Sequence, residues 1–141
     1  MTPRIDAITR IAALSSVALV VASSVTAQET AFGKRLYEEN CVACHGPTGK
    51  GDGAVAALFN AAPPSLRKLS EMNGGVFPFE LVYTTISGER EVQAHGIKMP
   101  VWGSVFRREA VSGSDYPGIM GEEVIEARKL ALTYYVESLQ E

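Results

Sequence analysis

The sequence predicts a single all-α domain, and three observations carry that prediction. Apolar residues recur at the 3.6-residue helical period in three stretches, near residues 30–41, 79–87 and 122–139. No run of four to eight residues alternates apolar and polar between turn signals, as a half-buried strand would. The chain has 141 residues, room for one domain at roughly 100–200 residues each. Its composition, 46% hydrophobic and 21% charged, is that of an ordinary globular protein and argues against wholesale disorder or a polytopic membrane protein. A dispersed net charge of -3 does not favour a nucleic-acid partner, which calls for a basic face.

The first segment reads as an address. Arg4 and Arg10 flank a short polar head, and an apolar run from Ile11 to Ala22 follows, interrupted by Ser15 and Ser16. Val25 and Ala27 are small enough for the minus-three and minus-one positions of a signal-peptidase site. Residues 1–27 are therefore expected to be a signal peptide, and 28–141 the mature domain, delivered to the oxidising periplasm. The alternative is an uncleaved anchor. A run of about 12 residues is short for that, since a bilayer needs ~20. No second apolar segment is long enough to span a membrane, so none is expected in the mature chain.

The elements follow in order. Thr30 opens a helix whose face is Phe32, Leu36 and Tyr37, with Lys34, Arg35, Glu38 and Glu39 on the other side, up to Cys41. Gly46 to Gly53 (G-P-T-G-K-G-D-G) is loop. Ala54–Phe59 suits a short helical turn, stopped by Ala62-Pro63-Pro64. Phe79 to Ser87 is a second helix, with Phe79, Val82, Tyr83 and Ile86 on one face, Pro78 in its first turn and Gly88 ending it. Glu89 to Gly121, rich in Gly and Pro, is expected to be mostly loop. Glu122 to Leu139 is the clearest helix, with Val124, Ile125, Arg128, Leu132, Tyr135, Val136 and Leu139 in phase, and Glu122 and Glu123 at its positive end.

The chain's two cysteines lie in C-V-A-C-H, residues 41–45. That pentapeptide is the attachment pattern of a c-type haem. Two thiols three residues apart on a helical turn reach the two vinyl groups of one porphyrin, and the adjacent His45 aims an imidazole nitrogen at the iron. A redox dithiol would need a thioredoxin-like strand–helix context. A zinc site would need a second ligand pair, and His95 beside His45 lacks the usual spacing. One haem c on Cys41 and Cys44 is the expected cofactor.

Three methionines of the mature chain compete for the second axial position: Met72, Met99 and Met120. Met99 is followed by Pro100, which stiffens the backbone beside the sulfur, and by Trp102, whose indole suits a ring edge. It also lies far enough along the chain from His45 to return on the opposite ring face. Met72 and Met120 are read as core fillers. With His45 and Met99 both bound, no position stays open for substrate, so the expected chemistry is one-electron transfer rather than catalysis.

These residues resemble the small class I monohaem cytochromes c of the bacterial periplasm, over nearly all of Thr30 to Glu141. The resemblance implies three to five helices packed around one covalent haem, with the N- and C-terminal helices crossing. It implies that Gly33 and Tyr37 face Leu132 and Tyr135 across that crossing. It also implies that Pro64 lends its carbonyl to the proximal histidine, as second-shell partners do. The run H-G-x-x-G-x-G-D-G at 45–53 and the segment A-H-G-I-K-M-P-V-W-G at 94–103 are similar to members that serve as electron carriers or as haem subunits of oxidoreductase complexes.

The expected function is thus a periplasmic one-electron carrier, not itself an enzyme, working with a dehydrogenase, an oxidase or another cytochrome, as a monomer or a complex subunit. The alternatives are a haem subunit held in a dehydrogenase or terminal oxidase, and a five-coordinate haem for gas binding or peroxidase chemistry. One departure from the family pattern is the long stretch Gly103–Gly121 before the last helix. It is long enough for a functional loop and equally suits a tolerated insertion. His95 is a candidate partner of a haem propionate or a replacement for Met99 as ligand, Arg107 and Arg108 are candidate partners of propionates, and Lys50, Arg67 and Lys68 a candidate docking patch, each against the default of an ordinary solvated or satisfied side chain.

Overall fold

The computed structural model describes residues 30–90, 99–112 and 121–141. Among them it is all-helical: α1 (30–40), α2 (Val42–His45), α3 (Leu69–Met72), α4 (Phe79–Ser87), α5 (Trp102–Ser112) and α6 (Gly121–Ser138), with single 3-10 turns at Ala56–Leu58 and Leu66–Lys68. No described residue is in a strand, and no described helix is long and apolar enough to cross a membrane. The signal-peptide expectation for 1–27 lies outside the described residues.

The crossing of α1 with α6 is set by the missing side chain of Gly33. A Cβ there would overlap the Ala131 carbonyl oxygen and stand 2.9 Å from Tyr135 Cβ, so only glycine lets the backbones approach this closely. One turn later Tyr37, fully buried, tilts its ring against Tyr135 at 5.1 Å between centroids. Leu36, Leu132 and Val136 complete this part of the core, which continues through Val82 and Ile86 of α4 and Phe106 of α5. The crossing of terminal helices implied by the family resemblance is present.

α4 forms where the period predicted it. Val82 and Ile86 face the core, while Phe79 and Tyr83 lie half-buried against α6, the Phe79 ring 5.1 Å from that of Tyr134. Pro78 occupies the cap position rather than the first turn. Gly88 ends the helix in the left-handed region at φ +81, where a Cβ would run into the Val101 side chain.

α5 corrects the loop expected over 103–121. Residues 102–112 are helical, because Trp102, Phe106 and Ala110 form a one-residue-wide stripe against the core and Phe106 is 0% exposed. That stripe is too narrow to stand out between Gly103, Ser104 and the charged run Arg107-Arg108-Glu109. α5 is tied to α6 by Arg107 with Glu122, and by Arg128, which reaches Glu109 at 2.7 Å and lies 5.4 Å from the Phe106 ring centre. Arg107 is thus partnered by Glu122. Residues 113–120 lie outside the described set.

α6 carries two further departures. Val124 is exposed at 42%, and the residue buried in the helix's polar register is Lys129, at 7%. Lys129 Nζ pairs with Glu126 at 2.5 Å and lies 5.0 Å from the centre of the Tyr83 ring. The Tyr83 hydroxyl donates to the same Glu126 carboxylate. A lysine this far inside needs such partners to keep its charge. At the far end the chain terminus clips the unpredicted turns at 66–72. Gln140 Nε2 donates to Leu66 O at 2.7 Å, Ser70 N donates to Gln140 Oε1 at 2.9 Å, and Arg67 pairs with Glu141. Long-range contacts with the terminus, rather than local propensity, hold these turns.

Hydrogen bonds from Lys129 and from Tyr83 hold the Glu126 carboxyl below the ordinary glutamate range. Burial opposes the charge on Lys129, and the bonds to Glu126 and Tyr83 outweigh it, so its pKa is raised. The stabilisation from Glu126 is therefore present above the ordinary glutamate pKa and lost as pH falls through the depressed folded value. Glu126→Gln is expected to lower the melting temperature at neutral pH, with the gap to the parent closing below about pH 4. Thermal melts across an acid series measure this, and a gap independent of pH would contradict it.

Candidate functional site

Cys41 to His45 form a single helical turn continuing α1 after a short break. Cys41 N donates to Tyr37 O at 2.8 Å, and His45 N donates to Cys41 O at 2.9 Å. Both thiols are free and half-buried, and His45 beside them is 9% exposed. Burial, then the neighbouring Cys44, pushes the Cys41 thiol up to about 12. That is the opposite of the depressed pKa that a thioredoxin-type dithiol needs.

The last carbonyls of a helix have no partner within it and must be capped. Here the glycine-rich loop does so in register. Gly51 N donates to His45 O at 2.9 Å, Gly53 N to Cys44 O at 3.2 Å, and Val55 N to Ala43 O at 3.0 Å. Three alternate amides thus bind three consecutive carbonyls of the C-V-A-C-H turn. Such closeness dictates the residue types. A Cβ on Gly53 would overlap Ala43 O and stand 2.6 Å from the Cys44 carbonyl carbon. Gly51, at φ +82, faces the backbone of Pro63 and Pro64. The sequence showed the glycines as loop punctuation; the amide ladder that needs them is a tertiary feature.

The residues named from sequence are distributed as follows. Cys41, Met99 and Trp102 are partly buried and pack against the hydrophobic core of the described residues. The Trp102 ring lies 6.0 Å from that of Phe106. Pro64 is exposed, and its carbonyl carbon stands 3.4 Å from the Cβ position of Gly51, the residue that caps His45. Pro64 therefore neighbours the proximal loop. Met72 is 67% exposed, which corrects its reading as a core filler. Met120 and His95 lie outside the described residues. Of the proposed basic patch, Arg67 pairs with Glu141 and Lys68 with Glu71 at 3.4 Å. Sequence reasoning missed the Tyr37 hydroxyl, which donates to Gly46 O at 2.7 Å.

Two free thiols on one turn, a buried imidazole at its end and an apolar core shared by the first and last described helices fit a covalent porphyrin. The fold and this site define a haem protein of the cytochrome type. The chain belongs to the cytochrome c family, whose profile matches residues 30–102. Cys41 and Cys44 carry one covalent haem c, and the domain transfers electrons through it.

The chain is 38% identical over 76 residues to the cbb3-type cytochrome c oxidase subunit CcoP of Azospirillum sp. (strain B510). The match covers 54% of this chain and 23% of that protein, so the chain spans less than a quarter of its relative's length. No solved structure matches the chain.

The amide ladder makes a direct prediction. Gly53→Ala forces a methyl group into the Ala43–Cys44 backbone and is expected to cost about 1–3 kcal/mol, as overpacking does. The haem absorbance per polypeptide and the melting midpoint should both fall. A variant that loads haem fully and melts like the parent would show that the ladder does not shape the attachment turn.

Proposed function

We propose that this cytochrome c is an exported, periplasmic one-electron carrier with His45 and Met99 as the axial pair. The observation that carries the reading is the meeting of two chain segments on one core: the C-V-A-C-H turn with its buried imidazole, and the returning Met99-Pro100-Val101-Trp102 segment. When bound, haem c supplies the ferrous/ferric couple. His45 offers a nitrogen donor that favours ferric iron, and Met99 a soft thioether that favours ferrous iron and raises the potential. Val82 and Ile86 belong to the apolar core against which Cys41, Val42, Met99 and Trp102 pack, and an apolar surround of this kind would disfavour the extra positive charge of the ferric state. Trp102 would shield an edge of the ring, and Pro64 would steady the His45 imidazole through its carbonyl. One-electron transfer needs no general acid, base or nucleophile. Its role is orientation, dielectric and a docking face for a dehydrogenase, an oxidase or another cytochrome. The segment 1–27, with its small residues at 25 and 27, supports delivery to the periplasm.

A second reading is favoured by the likeness to an oxidase subunit: permanent residence in a larger oxidoreductase as its haem c subunit. Size-exclusion of native extract separates the two. Elution at the size of the lone domain supports the shuttle, and co-elution with an oxidase supports the subunit.

Met99→Ala tests the axial pair. The thioether is removed at a half-buried site, so covalent attachment through Cys41 and Cys44 should persist while the potential falls and reduced protein takes up carbon monoxide at once. Wild-type spectrum and potential in that variant would exclude Met99 as ligand. Prompt carbon monoxide uptake by the parent protein would contradict two filled axial positions.

A further inference from the structure

We infer that Tyr37 is a positioning residue for His45: through the bond its buried hydroxyl donates to Gly46 O, the α1–α6 crossing holds the backbone that aims the imidazole. The inference rests on the reading of His45 as an axial ligand.

Tyr37 lies at the meeting of two systems. Its ring, 0% exposed, is packed against Tyr135 of α6 beside the Gly33 crossing. Its hydroxyl passes out of that interface and donates to Gly46 O at 2.7 Å, the residue immediately after His45. Packing alone asks only for an aromatic ring here, and phenylalanine would satisfy it. The hydroxyl is an added polar atom in a dry interior, and such an atom is tolerated only when bonded.

The acceptor is a sensitive point. Gly46 sits at φ +77, where the chain leaves the helical turn, and its N–H caps Val42 O at 2.9 Å. Its carbonyl takes one other bond, a longer one of 3.2 Å from Gly49 N. The preceding carbonyl, His45 O, is held by Gly51 N at 2.9 Å. A Cβ on Gly46 would run into the Asp52 carboxylate, so this side of the exit lies against the loop. Tyr37 therefore supplies the shortest bond on the carbonyl that follows the proximal histidine. A glycine at a positive-φ exit has freedom to swing, and the direction of that exit sets the rotation of the His45 side chain. Covalent attachment at Cys41 and Cys44 fixes the turn before His45, the glycine-loop amides hold its carbonyls, and the Tyr37 bond adds a side-chain restraint from α1 on the peptide just after His45.

The test compares Tyr37→Phe with Tyr135→Phe in haem-loaded protein. The first removes only the hydroxyl aimed at Gly46, and the second alters the same interface away from it. Tyr37→Phe should keep its helix content and covalent haem but shift the pattern of haem-methyl resonances in the ferric protein, which reads the imidazole plane. Its potential should rise as imidazole donation to ferric iron loosens. Tyr135→Phe should lower the melting midpoint and leave both haem readouts at their parent values.

If both variants melt lower and keep the parent resonances and potential, Tyr37 is merely structural and the inference falls. Should Tyr37→Phe fail to load haem, the parent protein decides. A slowly exchanging Tyr37 hydroxyl proton close to Gly46 supports the inference, and a freely exchanging one overturns it. A parent protein without the low-spin signature of nitrogen ligation would instead sink the reading of His45 as ligand.

Discussion

One helical turn, Cys41 to His45, is the constraint on which the rest of this structure depends. A porphyrin joined by two thioethers needs both sulfurs and the imidazole presented from a rigid piece of backbone, and a five-residue turn cannot hold itself rigid. Its amides are bound on one side by α1, where Cys41 N meets Tyr37 O, and its carbonyls on the other by the amides of Gly51, Gly53 and Val55. The sequence around the motif is explained by that requirement. Glycines stand where amides must approach within hydrogen-bonding distance, and the backbone of Pro63 and Pro64 lies against the loop at Gly51.

The helices then serve to hold the turn in place. α1 delivers it, and α1 is fixed by the glycine-mediated approach to α6 at Gly33 and Ala131. α6 is in turn fixed by α5 through Phe106, Arg107 and Arg128, by α4 through the Tyr83–Glu126–Lys129 cluster, and by its own end through Gln140 and Glu141. A domain this short buries little more than about two-thirds of its unfolded surface. A large apolar cofactor enlarges the core that the helices can share.

Much of this was legible in the residues. α1, α4 and α6 each bury a broad apolar face, so their period stood above the noise, and the C-V-A-C-H motif has few other meanings. α5 was hidden because its stripe is Trp102, Phe106 and Ala110 alone, inside a Gly-rich and charged stretch. The turns at Leu66–Met72 were hidden because Gln140 and Glu141, far away in sequence, hold them. Lys129 lies outside the apolar period of α6, and its burial depends on Glu126 and on the Tyr83 ring, which only the fold brings to it. The resemblance placed the Tyr37 ring at the helix crossing but not its hydroxyl, since the hydrogen bond to Gly46 depends on how α1 meets the loop. Local pattern reports burial well and reports polar contacts across the fold poorly.

The covalent link between polypeptide and porphyrin is the claim most directly open to measurement. Purified protein is denatured and extracted with acidified acetone, which strips non-covalent haem. Two thioethers at Cys41 and Cys44 predict that the pigment stays with the precipitated polypeptide. Pigment that passes into the solvent, or a colourless protein from cells competent in haem attachment, would contradict the account.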